Sequence, residues 1–275
     1  MSSLFRKRQS TPLPGTSTSS AGSASGMNGR STPQKPVTLY LIRLSPPCRL
    51  VWLYLAQNKI PYTLVDIDPA AEVDSEGRRP GLPSDIPHQD VPILVDGEIV
   101  VFEGPSILRY LSTRYTHHAG YGETTAQQTM VESLINWAHA DLHRIVGYRC
   151  AYPQVFEEFQ LEGESATEVL IETGIKRLTH YLERLEKRYL GPTKFLCGDA
   201  LTIADSAVAT VLLQSEWMGF SLRLWPRVAE WMQAVCKQEN WEEVHGAHAA
   251  FVGQLRAGIL YPTSDSFGTK DSATS

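Results

Sequence analysis

Thr38-Leu-Tyr-Leu-Ile-Arg-Leu-Ser45-Pro-Pro-Cys48-Arg49 joins two structural periods at one serine. On its left, Tyr40, Ile42 and Leu44 alternate with Leu39, Leu41 and Arg43, the period-two pattern of a buried strand. On its right, Pro46 and Pro47 end the strand, and their fixed φ suits the first turn of a helix running from Cys48 to Asn58. A serine at such a junction has two uses. Its hydroxyl can cap an orphan amide of the helix, or it can serve as a donor at the positive helix end, where an anion is favoured. The stretch by itself leaves both open.

The rest of the composition narrows the class. At 275 residues the chain can bury a full core, and 42% hydrophobic with 20% charged residues describes an ordinary globular protein. Lys plus Arg number 25 against 30 Asp plus Glu, a net charge of -5, so neither nucleic acid nor an acidic membrane surface is an expected partner. No apolar run approaches the roughly 18 residues of a membrane span. Cys48, Cys150, Cys197 and Cys236 are far apart and show no metal-ligand spacing. No metal is therefore expected, and four isolated thiols suit a reducing, cytoplasmic setting.

Residues 1–35 are rich in Ser, Thr, Gly and Pro and read as a disordered extension. They also carry Arg6, Lys7, Arg8, Arg30 and Lys35 without an acid, which makes organelle targeting through this segment the alternative location. Residues 262–275 read as a second disordered tail. Between them, residues 36–116 mix strands and helices. The opening strand and helix lead to a second strand, Tyr62 to Ile67, and strand–helix–strand order implies a right-handed crossover and parallel pairing. Asp68 to His88 is too long for a tight connection, and a short irregular helix is expected there. Pro92 to Asp96 and Ile99 to Glu103 flank Asp96-Gly97, a hairpin turn. Pro105 to Tyr115 closes the unit as a helix. The order βαβ, linker, ββα is the thioredoxin-like layout. Residues 123–256 then show helical periods only, with Met130, Leu134, Trp137, Ala138, Leu142 and Ile145 in one stripe and Ile171, Ile175, Leu178, Leu182, Leu185 and Tyr189 in another. Thr202 and Asp205 frame a further helix as a capping box. Helices near Pro226 to Lys237 and Trp241 to Leu255 complete an all-α second domain.

Several separated stretches then resemble the cytosolic glutathione transferases, most closely the theta class. Ser45-Pro-Pro-Cys48-Arg49 resembles the catalytic Ser-x-Pro-Cys-Arg turn, and Asp90-Val-Pro92-Ile-Leu-Val-Asp-Gly97 resembles the cis-proline loop and hairpin. Phe102-Glu103-Gly104-Pro-Ser106 is similar to the Glu-Ser helix start, Trp137-Ala-His139-Ala-Asp141-Leu-His143-Arg144 to the fourth helix, and Phe195 to Asp205 to the capping-box segment.

The resemblance implies a homodimeric glutathione transferase in which Ser45 stabilises the thiolate of glutathione, the co-substrate, for attack on small apolar electrophiles. A free thiol has a pKa near 8.5, so a hydroxyl donor at a helix N-terminus has a clear task. Val91 and cis-Pro92 are implied to pair with the cysteinyl part, and Glu103, Gly104 and Ser106 to hold the γ-glutamyl end. Asp141 is implied as a contact to the neighbouring subunit's glutathione. His139, His143, Arg144, Tyr148 and Trp217 are candidates for the electrophile pocket. Two departures stand out: Gly104 lacks the family's hydroxyl, and Asp90 places an acid where relatives often carry Gln or Lys, beside an anionic peptide. They favour, as the alternative, a non-catalytic binding module of the same fold. A second alternative makes Cys48, in the frame of a Cys-x-x-Cys motif, the nucleophile of a thiol transferase.

Overall fold

The computed structural model describes residues 35–258 apart from positions 85 and 87, with residue 164 described by its backbone alone. The extension and tail expected at the two ends lie outside the described residues, Lys35 excepted. The first half holds β1 (Val37–Leu41), α1 (Pro46–Gln57), β2 (Tyr62–Asp66), β3 (Ile93–Asp96), β4 (Ile99–Phe102) and α2 (Gly104–Tyr115). Strand order is β2-β1-β3-β4, with β1 parallel to β2 and antiparallel to β3. The parallel pair follows from the helical crossover, and the β3–β4 pair from the turn at Gly97, whose φ of 63° suits glycine. Val37, Leu39 and Leu41 of β1 are fully buried. The strand stops at Leu41, and the alternation beyond it does another job: Arg43 points outward and forks onto Asp66 at 2.6 and 2.8 Å. The 68–88 connection contains no helix among its described residues. Turns hold it instead, with Asp74 accepting from the Glu76 and Arg78 amides at 2.9 Å.

The second half is helical: α3 (Thr125–Trp137), α4 (Glu164–Arg184), α5 (Ile203–Leu212), α6 (Pro226–Val235) and α7 (Trp241–Arg256). α3 continues without a break into wider π turns at Ala138–Leu142 and Arg144–Ala151. Its buried stripe runs through Val131, Leu134, Ala138, Leu142 and Ile145. Met130, expected in that stripe, is 46% exposed, because the wall it would face is met by its neighbour Val131. One continuous apolar cluster runs from β1 and α1 through α3, α4 and α5 to Val244 of α7. Each large apolar side chain so buried contributes roughly 1.5 to 3 kcal/mol.

The fully buried Asp205 at the start of α5 ties this core together. One carboxylate oxygen accepts from the amide and hydroxyl of Thr202, both at 2.9 Å, and the other from the Leu196 amide and the Trp231 indole, also at 2.9 Å. Removing the acceptor strands four buried donors, so Asp205→Ala should cost about 3 to 5 kcal/mol in urea unfolding. A loss under about 1 kcal/mol would show that water reaches those donors.

Candidate active site

Ser45 is the N-cap of α1, with φ -73° and ψ 124°. Its carbonyl accepts from the Arg49 amide at 3.0 Å, so the backbone does the capping there. Its hydroxyl makes no capping hydrogen bond and lies instead within hydrogen-bond reach of the buried Cys48 thiol. The adjoining cleft, of about 240 Å³, is built from four sides. The α1 turn supplies Ser45 and Pro47; the loop before β3 supplies His88, Asp90, Val91 and Pro92; the start of α2 supplies Glu103. The fourth wall is the π continuation of α3, which supplies His139, His143 and Tyr148. The Val91–Pro92 peptide is cis.

Glu103 caps α2 with φ 66°, a left-handed conformation uncommon for a non-glycine residue and one that clusters at functional positions. Its carboxylate lies 2.9 Å from His139 Nε2, across from the sheet half to the helical half. Gly104 is buried against Pro47: a Cβ there would stand 3.2 Å from Pro47 Cβ. The missing family hydroxyl thus has a steric counterpart in the α1 turn.

Not every candidate residue meets in this cleft. Ser106 is exposed and lines a different groove, with Arg109 and Glu132, because the α2 turn points its side chain away from α1. Asp141 is engaged within its own chain: it accepts from Arg144 at 2.6 Å and from the Tyr181 hydroxyl. Those donors hold its carboxyl below the usual range, the Tyr181 bond foremost. Arg144 is spent on that pair and does not line the cleft. Trp217 is 6% exposed and packs with Tyr152 and Phe251 behind the cleft, with ring centroids 5.5 and 4.7 Å away.

The structure also adds residues that the sequence reading passed over. His88 lies flat on Phe102, centroids 4.4 Å apart; it sits in the irregular loop, where no period marks it. Tyr152, Phe156 and Phe159, passed over likewise, join the expected Tyr148 in a chain of ring contacts that leads from the cleft rim to Trp217. Their steps of four, four and three were a legible signal. Tyr148 stands 48% exposed at the rim, and burial, then the charge of Asp90, raises its phenol pKa.

Cys48 is fully buried, and burial pushes its thiol up to about 11, only partly opposed by the Ser45 hydroxyl. A thiol so placed is an inert core group. Beside it Arg49 is also fully buried: Nη2 donates to the Leu44 carbonyl at 3.5 Å, while Nε and Nη1 have no hydrogen-bond partner among the described residues. Burial pulls the guanidinium down to about 10.

Three histidines share this interior. Burial lowers His143 to about 3, His245 to about 2 and His248 to about 3, and the Arg49 charge adds to each shift. Unfolded, each takes up a proton near pH 6.5; folded, each refuses it until far lower. Stability is therefore full above that pH and falls on acidification, by about 1 kcal/mol per histidine per pH unit between roughly pH 6 and 4. Urea titrations at pH 7 and pH 5 should show the midpoint dropping, and His248→Gln should flatten the slope.

Comparison with known proteins fits this geometry. The glutathione S-transferase N-terminal domain model matches residues 39–119, and the glutathione S-transferase C-terminal domain model residues 151–239. Glutathione S-transferase theta-1 of Bos taurus is 29% identical over 201 residues, covering 72% of this chain and 81% of the relative. The theta-1 protein of Homo sapiens is 27% identical over 214 residues, covering 75% and 86%. Among solved structures, human glutathione-S-transferase T1-1 in its apo form superposes with a TM-score of 0.65 at 23% identity, covering 84% of this chain and 93% of that one. A delta-class glutathione transferase of Nilaparvata lugens superposes with a TM-score of 0.67, also at 23% identity, covering 82% and 100%. With both domain models matched in order around the cleft of Ser45, cis-Pro92 and Glu103, this chain belongs to the glutathione S-transferase family, alongside theta-class relatives.

Proposed function

We propose that this chain conjugates a glutathione-type thiol to small apolar electrophiles, with Ser45 donating to the thiolate. The observation that carries this reading is the uncapped Ser45 hydroxyl at the N-terminus of α1, in one cleft with cis-Pro92 and Glu103. The backbone of Val91 pairs with the cysteinyl part as an added strand would, Glu103 takes the γ-glutamyl ammonium, and the first amides of α2 at Gly104 and Ser106 face its carboxylate. Tyr148 and the aromatic rings behind it receive the electrophile. The enzyme's share is thiolate stabilisation and proximity rather than acid–base chemistry. A hydrogen bond to a charged group is worth about 1.5 to 3 kcal/mol. Ser45→Ala should therefore raise the bound thiol's pKa by about one to two units, read by ultraviolet titration, and slow conjugation roughly 10- to 100-fold at neutral pH. Cys48→Ala should leave both unchanged. The opposite pattern would reinstate Cys48 as the nucleophile.

A homodimer is the second element of this proposal. Ile99, Val100 and Phe102 of the edge strand β4 are 47, 39 and 42% exposed, and apolar side chains on an unpaired strand edge invite a second copy. Ile99→Glu should convert a dimer to monomer in sedimentation velocity; a wild-type monomer at micromolar concentration removes this part of the reading. A cytoplasmic location accords with Cys48, Cys150, Cys197 and Cys236 being free thiols. Among the described residues no helix is long and apolar enough to cross a membrane.

A further inference from the structure

The backbone and the carboxylate of Glu103 are held by different parts of the chain. The backbone is fixed within α2, where the Glu103 carbonyl accepts from the Ile107 amide at 2.9 Å. The side chain makes no capping hydrogen bond to that helix and is 50% exposed, so nothing on its own element settles where the carboxylate stands. Among the described residues one hydrogen bond holds it, from His139 Nε2 to Glu103 Oε2 at 2.9 Å. An ionised carboxylate only accepts, so Nε2 carries the proton in that bond.

His139 is suited to that task by its own anchoring. Its backbone lies in the π turn between the buried Ala138 and Leu142, and its ring lines both the cleft and the crevice over Pro47, Gly104 and Pro105. The side chains of the pair are 30 and 50% exposed, and an ion pair that open adds little to stability. Its consequence is placement. With Oε2 engaged, Oε1 has no hydrogen bond among the described residues and is left for a ligand ammonium. Among the described residues lining the cleft there is no Lys or Arg, so no permanent cation of the protein competes with that ammonium for the carboxylate.

We propose that His139 is a positioning residue for the γ-glutamyl end of glutathione: it holds one oxygen of Glu103 so that the other meets the substrate's ammonium. The proposal rests on the transferase reading of the cleft and deepens it. It moves His139 from the electrophile pocket, where the sequence reading placed it, to the glutathione end. A free glutamate side chain must lose its rotamer freedom when the ligand arrives, and fixing it beforehand is worth about 3- to 10-fold in affinity.

Calorimetry with two thiols tests it: glutathione, and its glutaryl analogue, the same tripeptide without the ammonium. The wild-type chain should bind glutathione about 10- to 100-fold tighter than the analogue, the range of a hydrogen bond between charged groups. His139→Leu should weaken glutathione about 3- to 10-fold and leave the analogue within about twofold. His139→Gln, whose amide nitrogen lies as many bonds from the backbone as the imidazole Nε2, should recover most of that loss. In conjugation assays the loss should fall on KM for glutathione and not on KM for the electrophile, and thermal midpoints should stay unchanged in both variants, because the pair is exposed. Equal weakening of both thiols by His139→Leu, a change confined to the electrophile's KM, or a wild-type chain that binds the two thiols equally overturns the proposal while leaving the transferase reading standing. Failure of both thiols to bind the wild-type chain at millimolar concentration overturns both.

Discussion

Pro47 of α1 rests on Gly104 of α2, and the rest of the site depends on that approach. A Cβ at Gly104 would meet Pro47 Cβ at 3.2 Å, tight enough that the two helix starts would have to part by a few tenths of an ångström, so residue 104 sets how closely they approach. The consequence is electrostatic as well as steric. Two helix N-termini, each carrying roughly half a positive charge, open on one side of the sheet, and the cis peptide at Val91–Pro92 reaches the same place from β3. The anionic sulfur of a thiol is favoured there by backbone dipoles alone, before any side chain is counted. Among the described residues lining the cleft there is no Lys or Arg, so the two helix ends are the fixed positive potential beside Asp90 and Glu103.

The helical half completes the site through a helix of uneven pitch. In the π turns after Trp137, His139 and His143 face the cleft while Asp141 turns back to Arg144 and Tyr181. Gly147 permits the close approach of Tyr152, whose ring carbons lie 2.9 Å from where a Cβ would be. Tyr152 in turn exchanges hydrogen bonds with the Gln214 amide at 2.8 and 3.0 Å and sits 2.8 Å from His143 Nε2. A backbone position without a side chain thus fixes a tyrosine, and the tyrosine fixes a cleft-lining imidazole. The residues that line the cleft are held by residues that do not.

Behind this wall the interior is unusual in its polarity. Arg49 is buried with Nε and Nη1 unpaired among the described residues, and His245 and His248 of α7 lie within its field. Burying an unpaired guanidinium costs several kcal/mol. The apolar cluster around it, running from β1 to α7, is large enough to carry that cost. Burial, rather than any partner, decides the charge state of the neighbouring imidazoles, which is why acid is the condition that loosens this core.

Much of this was legible in the linear chain, for local reasons. The alternation around Leu39 and Leu41, the proline pair after Ser45, Asp96-Gly97 and the Thr202–Asp205 box each specify backbone geometry within a few residues, and the structure shows the strand, helix start, hairpin and cap they imply. Burial of Cys48 followed from its place one turn into an apolar helix. Other features depend on contacts between distant segments, and no local pattern carries them. The 68–88 connection holds itself by side-chain turns instead of a helical period. Met130 and Val131 are equally apolar, and only the facing helix chooses between them. Asp141 found Tyr181, 40 positions on, and Glu103 found His139, 36 positions on, across the two halves of the molecule. The sequence by itself determined the elements, their order and the chemistry available at the Ser45 turn, because those depend on φ, ψ and spacing over a few residues. Tertiary structure alone decided which charged groups face the cleft and which are neutralised elsewhere, because a charge is placed by partners that the chain brings together only on folding.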